Sequence, residues 1–146
     1  MKSVAQLLAG KPSRDVFTIS PKATAHEASR IMAQENVGAL LVKDGESIVG
    51  VVSERDFARK LVAQEKPGRT TLVAEIMSAP VMFVKSSQTT EDCMAIMTGN
   101  RFRHLPVIDN GKLAGLISIG DLVKDVIAEQ QFVIEQLEHY ITGTHG

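Results

Sequence analysis

The sequence predicts an α/β fold of the α+β kind: two β-α-β-β-α repeats packed about a pseudo-twofold axis, followed by an extended C-terminal helix. Three observations predict it. Residues 16–63 fall on 81–128 at a constant offset of 65 without a gap, and 11 of the 48 pairs are identical, among them Thr24/Thr89, Met32/Met97, Leu40/Leu105, Gly50/Gly115, Ser53/Ser118 and Asp56/Asp121. Each copy alternates short apolar runs with a segment of helical spacing. From Val123, near the end of the second copy, apolar residues recur at roughly heptad intervals to Ile141. A repeat this short has little apolar surface to bury alone, so two copies are expected to share one core and to form paired clefts.

Taken in order, Val4–Leu8 and Val73–Met77 read as short helical lead-ins, one opening each half. Phe17–Ile19 and Met82–Val84 read as strands. Thr24…Glu27 and Thr89…Asp92 fit helix starts with a capping box, and Ala28, Ile31, Met32 and Cys93, Ile96, Met97 follow at helical spacing. Strands are expected at Ala39–Val42 and Leu105–Ile108, turns at Asp44-Gly45 and Asp109-Asn110-Gly111, and return strands at Ile48–Val52 and Leu113–Ile117. A second helix follows in each half, Glu54–Gln64 and Gly120 onward. The domain boundaries are therefore 1–64 for repeat 1 with its lead-in, 65–71 for a polar linker, 72–128 for repeat 2, and 129–146 for the helix extension and tail. Val123, Val126/Ile127, Val133/Ile134, Leu137 and Tyr140/Ile141 suit either packing on the helix's own domain or pairing with a second chain.

Composition narrows the function classes. Sixteen basic against seventeen acidic residues leave a net charge of −1, with no basic field for a nucleic-acid backbone. With no Trp and one Tyr, base-stacking platforms are scarce. Cys93 is the only cysteine, which fits a reducing compartment and a cytoplasmic location, and its apolar helical position suits a small core residue. No stretch approaches the roughly 18 apolar residues of a membrane span, and the first fifteen residues do not read as a signal peptide. His26 suits a solvent-facing helix position, and His139 and His145 lack ligand spacing, so no metal site is expected. No nucleophile–base set and no Walker-type loop occurs, so an enzyme is not expected.

The residues that could carry chemistry lie where the return strand meets the second helix. There the halves read Gly50-Val-Val-Ser53-Glu-Arg-Asp56 and Gly115-Leu-Ile-Ser118-Ile-Gly-Asp121. Ser at N-cap and Asp at N3 are ordinary helix-start residues. Such a start also offers free N–H groups to an anion, and an ionised carboxylate has two oxygens to accept both hydroxyls of a ribose.

These segments, with Phe57-Ala-Arg59, Leu122-Val-Lys124, Asn100–Asp109 and the weaker Asn36–Val42, resemble a tandem pair of cystathionine-β-synthase (CBS) domains, a Bateman module of the stand-alone bacterial type. The likeness covers about residues 4–128. It implies a regulatory sensor of adenine nucleotide, AMP, ADP, ATP or NAD(H), whose regulatory ligand is the only cofactor. It also implies a flat homodimer acting on an effector protein; from composition, neither membrane nor nucleic acid is expected as a partner. Carried over, one nucleotide site would join Ser20, Ala23, Ala28, Val37, Gly38 and Ala39 to Ser118 and Asp121. The other would join Lys85, Gln88, Cys93, Phe102, Arg103 and His104 to Ser53, Arg55 and Asp56.

The two sites differ in charge. Arg101, Arg103 and His104 stand where repeat 1 has Asn36, Gly38 and Ala39, and Arg55 stands where repeat 2 has Gly120. Arginine's planar fork suits phosphate, so the second site is expected to take the more phosphorylated nucleotide and the first to be roomier and more neutral. The competing expectation is a structural homodimerisation module with vestigial clefts.

Overall fold

The computed structural model describes residues 2–12, 15–100 and 102–142. The order of elements is α1 (Val4–Ala9), β1 (Thr18–Ile19), α2 (Ala25–Glu35), β2 (Ala39–Asp44), β3 (Ser47–Ser53), a single α turn α3 (Glu54–Asp56), α4 (Val73–Ile76), α5 (Thr90–Asn100), β4 (His104–Asp109), β5 (Lys112–Ser118) and α6 (Ile119–Thr142). The α+β class and the long C-terminal helix are as the sequence predicts.

The chain forms two compact units. One runs to Phe83 and holds β1–β3 with α2–α4; the other joins the segment up to Pro12 to everything from Val84 onward. Each has its own core. Ala28, Met32, Leu40, Val42 and Val52 centre the first, and Cys93, Met97, Leu105, Val107 and Ile117 centre the second. These ten residues are five pairs at the 65-residue offset.

The lead-ins do not serve the repeats they open. α4 completes the core of the unit containing repeat 1 with Val73 and Ile76, and α1 completes that of repeat 2 with Val4, Leu7 and Leu8. Backbone hydrogen bonds seat both alike. Val73 N, Ala74 N and Ala25 N donate to Ala23 O, Pro21 O and Thr71 O; Val4 N, Ala5 N and Thr90 N donate to Gln88 O, Ser86 O and Lys2 O at the matching positions. Ser3 caps α1 by accepting from Gln6 N while Gln6 Oε1 accepts from Ser3 N. The equivalent glycines are the close-packing points. A Cβ on Gly115 would lie 2.7 Å from Leu8 of α1, and one on Gly50 would lie 2.6 Å from the Met77 sulfur beyond α4.

Both hairpins form, with a register shift at the matched places Val42/Lys43 and Val107/Ile108. Gly45 alone takes the left-handed conformation in the first turn, whereas Asn110 and Gly111 both take it in the second. The expected strand at Met82–Val84 is corrected to a single parallel bridge, Val84 to Val107. In repeat 1, Leu41 N donates to Phe17 O and extends the β1–β2 ladder. The matching residue in repeat 2 is Pro106, which has no N–H to give. The expected helix Glu54–Gln64 is also corrected. After α3 the chain widens into a π-helix over Phe57–Val62, with Ala63 N donating to Ala58 O five residues back.

Thr89 and Asp92 make a reciprocal capping box at α5. At α2 Thr24 accepts from Glu27 N at 3.2 Å. α6 is continuous across the end of the repeat. From Phe132 onward its apolar residues Val133, Ile134, Leu137 and Tyr140 are exposed.

Candidate functional site

Each S-x-x-D motif is first of all a helix cap. Ser53 N donates to Asp56 Oδ2 at 2.9 Å and Ser118 N donates to Asp121 Oδ2 at 2.8 Å, so each aspartate ties down the end of its return strand. Beyond that bond the two carboxylates differ.

Asp56 is buried. Its Oδ2 also accepts from Ser53 Oγ at 3.2 Å; its Oδ1 accepts from Ser78 Oγ at 2.9 Å and pairs with Lys60 Nζ at 3.1 Å. Two oxygens offer about four acceptor positions, and four donors of its own unit fill them. Asp121 is half-buried. Its Oδ2 accepts from Ser118 N and from Lys11 Nζ at 2.9 Å. Burial pushes this carboxyl up, but the Ser118 N–H and the Lys11 ammonium outweigh that and hold it below the usual carboxylate range.

The supporting cations show how the repeats diverged. Lys60 lies four residues after Asp56, in the π-helix that continues α3. At the matching place after Asp121 stands Asp125, an acid where a base was. The N-terminal segment supplies the missing charges: Lys11 pairs with Asp121, and Lys2 Nζ lies 2.8 Å from Asp125 Oδ1. With Gln6 and Lys124 these residues line a cleft of about 200 Å³. The surroundings of Asp121 are thus more cationic than the sequence suggests, because Lys2 and Lys11 reach it from more than a hundred residues away. The signal that could have found them is the Lys60/Asp125 charge reversal.

The other carried-over residues fall as follows. Ser20 follows β1, exposed, and its carbonyl accepts from Ala23 N. Val37 and Gly38 line a cleft of about 450 Å³ with Ser29, Asn36, Glu54 and Phe57, and Gly38 O accepts from Glu54 N. Ala39 opposes Ser53 in the β2–β3 ladder, as His104 opposes Ser118 in β4–β5. The side chains of Ala28 and Cys93 belong to the cores, wholly buried; burial, then the nearby Asp92, raises the Cys93 thiol to about 11, where it is inert. Lys85 and Gln88 close a turn on each other, Lys85 N donating to Gln88 Oε1. Phe102 packs on its core, and Arg55 and Arg103 are exposed. Arg101 and His145 lie outside the described residues. Among the described residues no group of acids, histidines or cysteines has metal-binding geometry, and no helix is long and apolar enough to cross a membrane.

In the second unit the groove between α5 and α6 is apolar, about 260 Å³, lined by Met94, Met97, Ile119, Val123 and Ile127 among others. At the equivalent place in the first unit stand Ser29, Asn36 and Glu54.

Comparison with known proteins agrees with this duplicated plan. A family model, the CBS domain, matches twice, over residues 4–63 and 73–128. A mitochondrial CBS domain-containing protein of Arabidopsis thaliana, CBSX3, is 38% identical over 125 residues, which are 82% of this chain and 61% of that protein. The chain thus spans about three fifths of this plant relative. The CBS domain-containing protein YhcV of Bacillus subtilis is 33% identical over 79% of the chain and 81% of its own length. Among solved structures, one described as a signal-transduction protein with CBS domains, from Burkholderia ambifaria, is 53% identical with a TM-score of 0.82, covering 88% of this chain and 96% of that one. A hexameric CBS-CP12 protein from bloom-forming cyanobacteria is 27% identical with a TM-score of 0.75, over 84% and 66%.

Proposed function

The chain belongs to the CBS-domain family, and from that premise we propose that it is a regulatory module that binds an adenine nucleotide of the AMP, ADP, ATP or NAD(H) class and signals occupancy to a partner protein. It works by binding, not by catalysis. The observation that supports this reading is the pair of aspartates at equivalent strand–helix junctions, carboxylates of the kind that accepts from ribose hydroxyls, of which Asp121 carries the fewer donors. Occupancy shifts the protein's states only through unequal contacts with them, and it raises thermal stability because the ligand binds the native state alone. Asp121 is the readier acceptor: among the described residues its donors, Ser118 N and Lys11 Nζ, both sit on Oδ2, whereas four donors occupy both oxygens of Asp56.

Two expectations test this. Mass spectrometry of protein purified without heating releases an adenosine-containing compound, and titration calorimetry with AMP, ATP and NAD+ gives saturable binding. Arg103→Ala lowers ATP affinity about tenfold while leaving adenosine affinity unchanged, as loss of one charge-assisted contact predicts. Equal ATP affinity in wild type and variant removes Arg103 from phosphate recognition.

A second reading, a structural homodimerisation module with vestigial clefts, is favoured by the saturated carboxylate of Asp56. It predicts no nucleotide-induced rise in melting temperature. Both readings place a second copy on the exposed stripe Val133, Ile134, Leu137 and Tyr140 of α6. Val133→Glu with Leu137→Glu is then expected to convert dimer to monomer at micromolar concentration, read by light scattering; an unchanged mass excludes α6 as the interface.

A further inference from the structure

Resting on Asp121 as a ribose acceptor, we propose that Lys11 is an internal competitor for that carboxylate, so that a bound nucleoside releases the N-terminal segment from α6. Asp121 Oδ2 already accepts from Ser118 N and Lys11 Nζ. A ribose diol that places one hydroxyl on each carboxylate oxygen must displace one of these donors, because both positions on Oδ2 are already taken. The Ser118 bond caps α6, and losing it opens the helix start. Lys11 is a side chain a quarter exposed, held otherwise by Leu116 O at 2.8 Å, and it leaves without backbone cost.

What leaves with it is specific to this repeat. Lys11 follows α1 directly, and α1 is fastened at its other end by the Lys2–Asp125 pair. The two ion pairs form a latch on the first turns of α6, beside the 200 Å³ cleft. In the first unit the cation on Asp56 is Lys60, from the π-helix that continues α3, so its displacement frees no segment. The charge reversal at Asp125 therefore couples one aspartate, and not the other, to a terminal element. By linkage, whatever Lys11 costs the ligand, the ligand costs the docking of α1.

The probe is adenosine, which lacks a phosphate that Lys11 could attract. Lys11→Met is expected to tighten adenosine binding about tenfold, the scale of one charge-assisted hydrogen bond; Lys11→Arg keeps wild-type affinity; and Asp121→Asn abolishes the gain from Lys11→Met. On the unaltered protein, adenosine is expected to speed amide hydrogen exchange across residues 4–9. Unchanged or weaker binding by Lys11→Met, or unchanged exchange in α1 at saturating adenosine, overturns the latch while leaving nucleotide binding intact. If the wild type and Lys11→Met both fail to bind adenosine and AMP, the nucleotide reading falls and the latch falls with it.

Discussion

Gly50→Val is expected to destabilise the protein by about 3 kcal/mol, at the upper end of overpacking costs, and to lower the melting temperature by roughly 6–12 °C for a chain of this length. A Cβ at this position would lie 2.6 Å from the Met77 sulfur and 3.0 Å from Ser78 O. The sulfur can swing away; the carbonyl cannot, because Ser78 O accepts from Val51 N at 3.0 Å and Ser78 N donates to Val51 O at 2.8 Å. Moving Ser78 breaks that bridge and disturbs the Ser78 Oγ bond to Asp56. Gly115→Val serves as the internal comparison. The atoms nearest its Cβ all belong to the Leu8 side chain, the two methyl ends 2.7 and 3.1 Å away, and the cost is expected to be about 1–2 kcal/mol as that side chain repacks. Urea unfolding of the two variants checks the order. Equal losses would mean that the Val51–Ser78 bridge is not the rigid partner.

Asp56→Ala is expected to cost about 2–3 kcal/mol in the complete absence of nucleotide, the range for leaving buried donors and a charge without their acceptor. Ser53 N, Ser53 Oγ and Ser78 Oγ lose this acceptor at once, and Lys60 keeps only its 3.4 Å bonds to Met77 O and Ser78 Oγ. Lys60 is 38% exposed and recovers water, which keeps the figure below that of a fully buried pair. Asp121→Ala removes a half-buried carboxylate with fewer donors, and about 1–2 kcal/mol is expected. Thermal unfolding without ligand measures both. If Asp56→Ala melts with the wild type, the carboxylate is not structural, and a loss of nucleotide binding in that variant can be read directly as lost ribose recognition. If it melts low, affinity must be compared at a temperature where the variant is folded.

Much of the fold was legible because a duplicated sequence repeats its physics. The five matched core pairs, the two hairpins and the caps at Ser53 and Ser118 all follow from spacing and residue type within a few positions of each other. Two local departures had different visibility. Pro106 stands in plain view, and its missing N–H explains why Val84 makes a bridge and not a strand. The π-helix over Phe57–Val62 is announced by no glycine or proline. The sites were half legible. The motif identified Asp56 and Asp121, but not that Ser78 and Lys60 saturate the first or that Lys11 reaches the second.

From the sequence alone came the repeated α+β plan, the equivalence of the two aspartates and the apolar stripe along α6, since each depends on periodicity along the chain. Tertiary structure decided that α1 serves the core of the second repeat and α4 that of the first, and that one carboxylate is closed by its own helix and the other by a distant lysine. The reason is physical. An apolar face or an ionised group is satisfied by whatever lies next to it in space, and residues 110 positions apart leave no mark on each other's local pattern.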